Sequence, residues 1–348
     1  MQNILSENLL TQSKVHIKLS DFLNKLSPQA VEKFDAILAR PKKPLVYTSF
    51  DGDNMHFLDW MCYVAHKLGC VPINPEAALG YYLSTTSHNG KKIEVMRDCV
   101  ALELACTELW IFDSSLSIQN SNLSEGVIAE FVLWHQIRPH LPVRFFPYLQ
   151  ESMLMKHKNS LEEKSSEQIL FQSKLPLDYQ KELVTKMEHL AIREIEEKLL
   201  LSIKENHVRP LAYISQDFFD LKHVDWARAI AYQLGYVPFS PETLVRHFVT
   251  NMAYGESLPE EYLIDRISLL SAAQELWIFS KTPVSLFSRN PLQEHTKLDI
   301  YYWLTHKPTA PIRVFSWRDA SVPKFMPNNF WALTTREHLE NTEHDREK

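Results

Sequence analysis

Residues 44–76 (PLVYTSFDGDNMHFLDWMCYVAHKLGCVPINPE) lie on residues 210–242 (PLAYISQDFFDLKHVDWARAIAYQLGYVPFSPE) without a gap, and 14 of the 33 positions are identical. The identities include Tyr47/Tyr213, Ser49/Ser215, Gly69/Gly235 and Pro75-Glu76/Pro241-Glu242. Downstream, ELWIF recurs at Glu108 and Glu275, and WHQIRPHLPVRFF at Trp134 is echoed by WLTHKPTAPIRVF at Trp303. A period this long means that one supersecondary unit occurs twice, so whatever fold explains one half must explain the other. The chain reads as a tandem duplication, with units expected at residues 43–147 and 209–318.

Each unit spells the same order of elements. A β-rich run (Leu45 to Phe50; Leu211 to Gln216) leads into an amphipathic helix that ends near Gly69 or Gly235. A short strand (Cys70 to Ile73; Tyr236 to Phe239) is stopped by Asn-Pro or Ser-Pro. Another helix (about Ile93 to Ala105; about Glu260 to Ala273) feeds ELWIF, whose short, unbroken apolar run predicts a buried strand. One more helix and a last strand (Val143 to Phe146; Ile312 to Phe315) close the unit. Alternating strands and helices imply right-handed crossovers and a parallel sheet covered on both faces. The expected fold class is α/β: two tandem Rossmann-like, flavodoxin-like domains. Ligands then bind beyond the carboxyl ends of the strands. Outside the repeats lie a helical N-terminal segment (1–42), with Ser27-Pro28 as a helix start, a largely helical linker (148–208), and a charged tail (319–348).

A chain of 348 residues with 45% apolar content is large enough for two such cores. No apolar run is long enough for a membrane span, and the N-terminus lacks a signal-peptide pattern, so a cytoplasmic protein is expected. A formal charge of −6 without a Lys/Arg cluster argues against nucleic acid as a partner. Cys62, Cys70, Cys99 and Cys106 form no CxxC pair or metal-like spacing, and His56, His66, His88, His135 and His140 are scattered. Buried thiols, no metal and no cofactor are expected.

One stretch of the first unit carries chemistry. Ser124 to Glu130, SEGVIAE, opens the helix after ELWIFD. Ser124 suits an N-cap, the free amides of a helix start attract an anion, and Gly126 permits close approach of a ligand to the backbone. Glu130 shares a helix face with Val127, Trp134 and Ile137, so its carboxylate points into an apolar stripe.

The order of a tyrosine in the first strand, an acidic helix before the third strand, and S-x-G-V-x-x-E opening a helix resembles the nucleoside 2-deoxyribosyltransferase superfamily. Within it, SEGVIAE is most similar to the branch of 2-deoxynucleoside 5-monophosphate N-hydrolases; the transferases proper carry an acid where Ser124 stands. The resemblance covers most of each repeat and neither the N-terminal segment nor the linker. It implies cleavage of an N-glycosidic bond between a base and a deoxyribose, with Glu130 as nucleophile and a glycosyl-enzyme resolved by water or a second base. It further implies that Tyr47 orients the nucleophile and that Asp98 helps protonate or position the leaving base. Ser124 and the amides around Gly126 would hold a 5-phosphate or 5-hydroxyl, and Asp51 and Asn54 would contact sugar hydroxyls. Asp113, at the same sheet edge, joins the expected substrate site. The acid that the family carries immediately before the third strand falls at Thr107 or Glu108.

The second copy departs from the pattern. Tyr213 and Asp265 repeat Tyr47 and Asp98, but alignment of Trp303 on Trp134 sets Gln293 opposite Ser124, His295 opposite Gly126 and Asp299 opposite Glu130. The anion turn is lost and the acid is one methylene shorter. This predicts one working and one degenerate site in an internal pseudo-dimer, with further homo-oligomerisation open. The expected partner is a small-molecule nucleoside or nucleotide. Two alternatives stand beside hydrolysis or base transfer: a catalytically inactive nucleotide-binding sensor or interaction protein, and an N-glycosidase acting on a larger nucleotide such as a dinucleotide.

Overall fold

The computed structural model describes residues 14–50, 56–79, 92–113, 123–147, 164–187, 208–216, 224–245 (without 225, 226, 229 and 233), 259–280 and 292–316. The chain opens with β1 (Lys14–Val15), α1 (Leu19–Leu23) and α2 (Pro28–Leu38). Ser27 starts α2 as its sequence implies, its hydroxyl accepting from Ala30 N at 3.2 Å with Pro28 at the first position.

The first unit comprises β2 (Leu45–Phe50), α3 (His56–Lys67), β3 (Val71–Ile73), α4 (Pro75–Leu79), α5 (Lys92–Ala105), β4 (Glu108–Asp113), α6 (Glu125–Ile137) and β5 (Val143–Pro147). Two linker helices follow, α7 (Ser166–Ser173) and α8 (Leu177–Met187). The second unit repeats the pattern with β6 (Leu211–Gln216), β7 (Val237–Phe239), α9 (Pro241–Leu244), α10 (Glu260–Ala272), β8 (Glu275–Ser280), α11 (Glu294–His306) and β9 (Ile312–Ser316). Both sheets have the same parallel order, β3-β2-β4-β5 and β7-β6-β8-β9, as the sequence predicts for tandem Rossmann-like units. Gly69 and Gly235 explain one of the shared identities. Each has positive φ (71° and 82°) where a helix turns into the edge strand, a conformation that costs any other residue about 1–2 kcal/mol.

Period-two alternation sorts the strands. Tyr47, Leu109 and Ile111 face a core that runs through both units, together with Phe34, Phe131, Trp134, Tyr213, Leu270 and Trp303. Val46, Phe50, Trp110 and Phe112 face a second cluster under α3, and Ala212, Ile214, Trp277 and Phe279 face its counterpart in the second unit. At the amino end of each sheet an Arg–Glu fork recurs. Arg144 donates through Nε (2.6 Å) and Nη2 (2.9 Å) to Glu108, and Arg313 does the same to Glu275 (2.7 and 3.0 Å). The indole N–H of Trp110 or Trp277 completes it at 2.7 Å.

The units meet as an isologous pair along their β3 and β7 edges. Helix α4 packs on α9, α5 on β7 and α10 on β3. Asp98 pairs with Arg209 at 3.1 Å, and its repeat Asp265 pairs with Lys43, the repeat of Arg209, at 2.8 Å. His66 Nε2 lies 3.7 Å from Asp265. Arg228 donates to Ala78 O at 2.9 Å and also to Ala77 O, while Cys62, which occupies the position of Arg228, directs its thiol at Leu244 O, the counterpart of Ala78 O, at 4.0 Å.

The segments expected outside the repeats are built into them by exchange. The stretch that precedes the first unit covers the second: β1 adds antiparallel to β9 (Lys14↔Arg313, Val15↔Ile312), α1 packs on α11, and α2 on α10 and α11. The stretch that precedes the second unit covers the first. Lys174 bridges antiparallel to Arg144, Leu175 N donates to Val143 O at 2.9 Å, α7 packs on β5 and α8 on α6. Lys174-Leu175 thus does for β5 what Lys14-Val15 does for β9.

Candidate active site

The centre of the first unit is Glu130, on the second turn of α6 and 7% exposed. Tyr47 Oη donates to its Oε1 at 2.6 Å, and Ser49 Oγ donates to its Oε2. Both donors reach the same carboxylate because residues two apart on a strand share a face, and β2 sits in the middle of its sheet with α6 across it. The Cys99 thiol on α5 lies beside the same carboxylate and favours its ionised form. Burial pushes the Glu130 carboxyl above its usual range, while Ser49, Tyr47 and Cys99 pull it back by hydrogen bonding to the ionised form. Tyr47 is driven well above the usual phenol range, first by burial and then by Cys99 and Glu130, so it remains a donor. Among the described residues, neutral groups and not a cation hold this carboxylate.

At the mouth of the same helix Ser124 is the N-cap, accepting from Val127 N at 3.5 Å. Gly126 is exposed in the first turn, and a Cβ built there would have only Ser124 Oγ, at 3.9 Å, within reach. Nothing in the described chain requires glycine at that point; its bareness leaves the helix start open to the outside. Asp113 closes β4 at the carboxyl edge and is buried. Asp51 and Asn54 lie outside the described residues.

Asp98, expected beside the leaving base, is fully buried and engaged by Arg209 across the contact between units. Glu108, one of two positions open for the family's acid, is held in the fork with Arg144 at the amino end of the sheet, opposite the edge where ligands enter. Ser49, which the repeat places at the carboxyl edge of the sheet, and Cys99, which the pattern did not single out, both reach the surroundings of this carboxylate.

The second unit retains the frame and changes the occupant. Tyr213 Oη (3.3 Å) and Ser215 Oγ (2.7 Å) donate to Asp299 as Tyr47 and Ser49 do to Glu130. In place of Cys99 stands Arg266. Its Nη2 and its Nε (3.3 Å) go to Asp299, and its Nη1 goes to Glu242 (2.9 Å) and Tyr262 Oη (2.9 Å). Arg266 and Asp299 are completely buried and Glu242 is 2% exposed. His295, where the first unit has Gly126, is buried with Nε2 2.7 Å from Gln216 O, and burial followed by the field of Arg266 lowers it to about 3, so it is a neutral ring donating to that carbonyl. Thr296 Oγ1 donates to the same oxygen at 3.2 Å. Gln293 begins α11 without capping it. The acid, the cation and the imidazole together turn the second site into packed interior.

Among the described residues no group of His, Cys, Asp and Glu side chains could hold a metal ion, and no helix is long and apolar enough to cross a membrane. No family model matches the chain, and neither a curated protein nor a solved structure matches it significantly.

Proposed function

We propose that the first unit cleaves the N-glycosidic bond of a deoxynucleoside or nucleoside monophosphate, with Glu130 as the nucleophile. The observation that carries this reading is the contrast between the two buried carboxylates. Asp299 is neutralised by Arg266 in a buried interior, whereas among the described residues Glu130 has only neutral donors and lies on a helix whose first turn carries the exposed Gly126. A carboxylate that is fixed, partly desolvated and free of an ion-pair partner has its charge available for a developing cationic centre. In this reading one oxygen of Glu130 attacks the anomeric carbon as the bond to the base breaks; the departing base takes a proton from a water molecule, and water or a second base, giving up its own proton, then displaces Glu130 from the ester as a free carboxylate. Tyr47 and Ser49 fix the carboxylate for in-line approach. The first-turn amides beyond Ser124 face the 5-substituent, for which a phosphate is the natural complement. Asp98 enters as the anchor of α5 to Arg209, which keeps Cys99 aimed at Glu130.

The test is release of free base, followed by chromatography, from a panel of nucleosides, nucleotides and dinucleotides. Release that vanishes in Glu130→Gln and persists in Asp299→Asn is the expected result. Release that survives Glu130→Gln refutes the nucleophile, and tight nucleotide binding without turnover favours a sensor built on the same fold.

A further inference from the structure

Among the described residues, Glu103 is a buried carboxylate near Glu130 that the proposed chemistry leaves unused. It lies one turn after Cys99 on α5, so the two side chains share a face, and α5 packs on α6 and β2. Glu103 is 2% exposed, and neither of its carboxyl oxygens finds a hydrogen-bond partner. The charged and titratable groups around it are Glu130 from α6, Tyr47 from β2, Cys99 on its own helix, Cys106 just past that helix, and Arg138 past the end of α6. Arg138 spends its hydrogen bonds elsewhere, on Cys106 O at 2.7 Å and on Leu104 O. The second unit has fully buried Leu270 at this position, so a pair of acids exists only where Glu130 lacks a cation.

Two ionised carboxylates cannot share such a pocket, and the one without donors is the one that must keep its proton. We propose that Glu103 is a standing carboxylic acid beside Glu130, a positioning residue whose retained proton leaves the pair with a single negative charge and assigns that charge to Glu130. Burial first, then the charge of Glu130, drive the Glu103 carboxyl well above the usual range, with Arg138 opposing. The coupling runs both ways: removing the charge of Glu130 makes Glu103 easier to ionise. The consequence for catalysis rests on the reading of Glu130 as nucleophile; the protonation state does not.

Infrared difference spectroscopy of the full-length protein, with carboxyl-labelled glutamate, reads the acid itself. The expected result is a protonated-carboxyl stretching band at neutral pH that is lost in Glu103→Gln. If that variant does not fold, Glu103→Leu, the residue of the second copy, serves instead. In Glu130→Gln the band remains but titrates lower by about one pH unit or more. Absence of the band at neutral pH, its survival without Glu103, or an unmoved midpoint in Glu130→Gln overturns the proposal. A protein that shows the coupled band yet releases no base keeps the acid pair and loses the glycosidase reading, and base release without the band does the reverse.

Discussion

Replacing Arg266 by Met removes the cation that, among the described residues, is hydrogen-bonded to the two buried carboxylates Asp299 and Glu242. Arg266 and Asp299 are 0% exposed and Glu242 is 2% exposed, and the guanidinium gives two hydrogen bonds to the first acid and one to the second. Met fills much of the volume, so the loss is electrostatic. Breaking a buried ion pair from one side costs about 3–5 kcal/mol, because the partner charge stays behind. Because the core runs through both units, the cooperative body is larger than about 150 residues, and that loss lowers the melting temperature by about 6–20 °C, at roughly 2–4 °C per kcal/mol. The pH dependence identifies the cause. With the cation gone, the folded state at neutral pH must bury two uncompensated negative charges, whereas in acid the carboxyls are neutral and bury none. The deficit is then smallest in acid and grows as pH rises towards neutrality. Adding Asp299→Asn and Glu242→Gln to the Met variant should recover most of the loss at neutral pH, since two amides bury no charge. Thermal melts by circular dichroism across this pH range decide the matter. A deficit below about 1 kcal/mol, or one that does not change with pH and is not rescued by the amides, refutes the view that Arg266 locks the second site electrostatically.

In the intact protein the two acids should respond oppositely to amidation. Glu130→Gln stays within about 1 kcal/mol of wild type in urea melts, because no cation loses its partner, whereas Asp299→Asn costs about 1.5–3 kcal/mol by depriving Arg266 of a charged acceptor. Equal losses would contradict the contrast. Tyr47→Phe deletes the 2.6 Å bond that favours ionised Glu130. Its acid limb of base release should move up by about one to two pH units, the equivalent of a hydrogen bond to a charged group, as a pH–rate profile would show. Asp265 is pushed by burial to about 7 from 3.8 despite its partner Lys43. Its proton therefore favours the folded state, and that contribution is lost as pH rises from 3.8 to about 7. Asp265→Asn should flatten melting temperature against pH over that window and stabilise the neutral end; a curve parallel to wild type would exclude Asp265 as the source.

The architecture was legible because duplication supplies its own control. The four strands of each unit and the helix end at Gly69 or Gly235 were visible twice, whereas β1 lay in a segment read as helical; the two glycines share a left-handed backbone. Glu130 was legible from helical period alone, since a carboxylate on the face of Val127 and Trp134 must be buried. What escaped depended on contacts between distant stretches. Cys99 read as one more buried thiol; only its alignment opposite Arg266 could have marked it, and that comparison needed the structure to show both side chains aimed at the same carboxylate position. Asp98 carries an acid in the expected helix, yet period cannot tell a face that lines a pocket from one that meets a second unit, and Arg209 claims it. The segments before each unit looked like separate appendages because their partners lie in the other half of the chain.

That exchange bears on why a locked copy persists. Each unit's sheet edge is covered by residues that precede the other unit, so neither half has a complete core of its own. Arg209 from the second unit reaches Asp98, the residue before Cys99, and thereby braces the helix that presents a donor to Glu130. A second unit with an open carboxylate of its own would bury another uncompensated charge against the same continuous core. Arg266 removes that burden by making Asp299 half of an ion pair, and His295 and Thr296 close the helix start that Gly126 leaves open. Under the proposed function these features belong together: the second unit pairs its buried acid with Arg266 and buries its helix start, while it supplies the edge contact and the Arg209–Asp98 pair to the unit that carries Glu130.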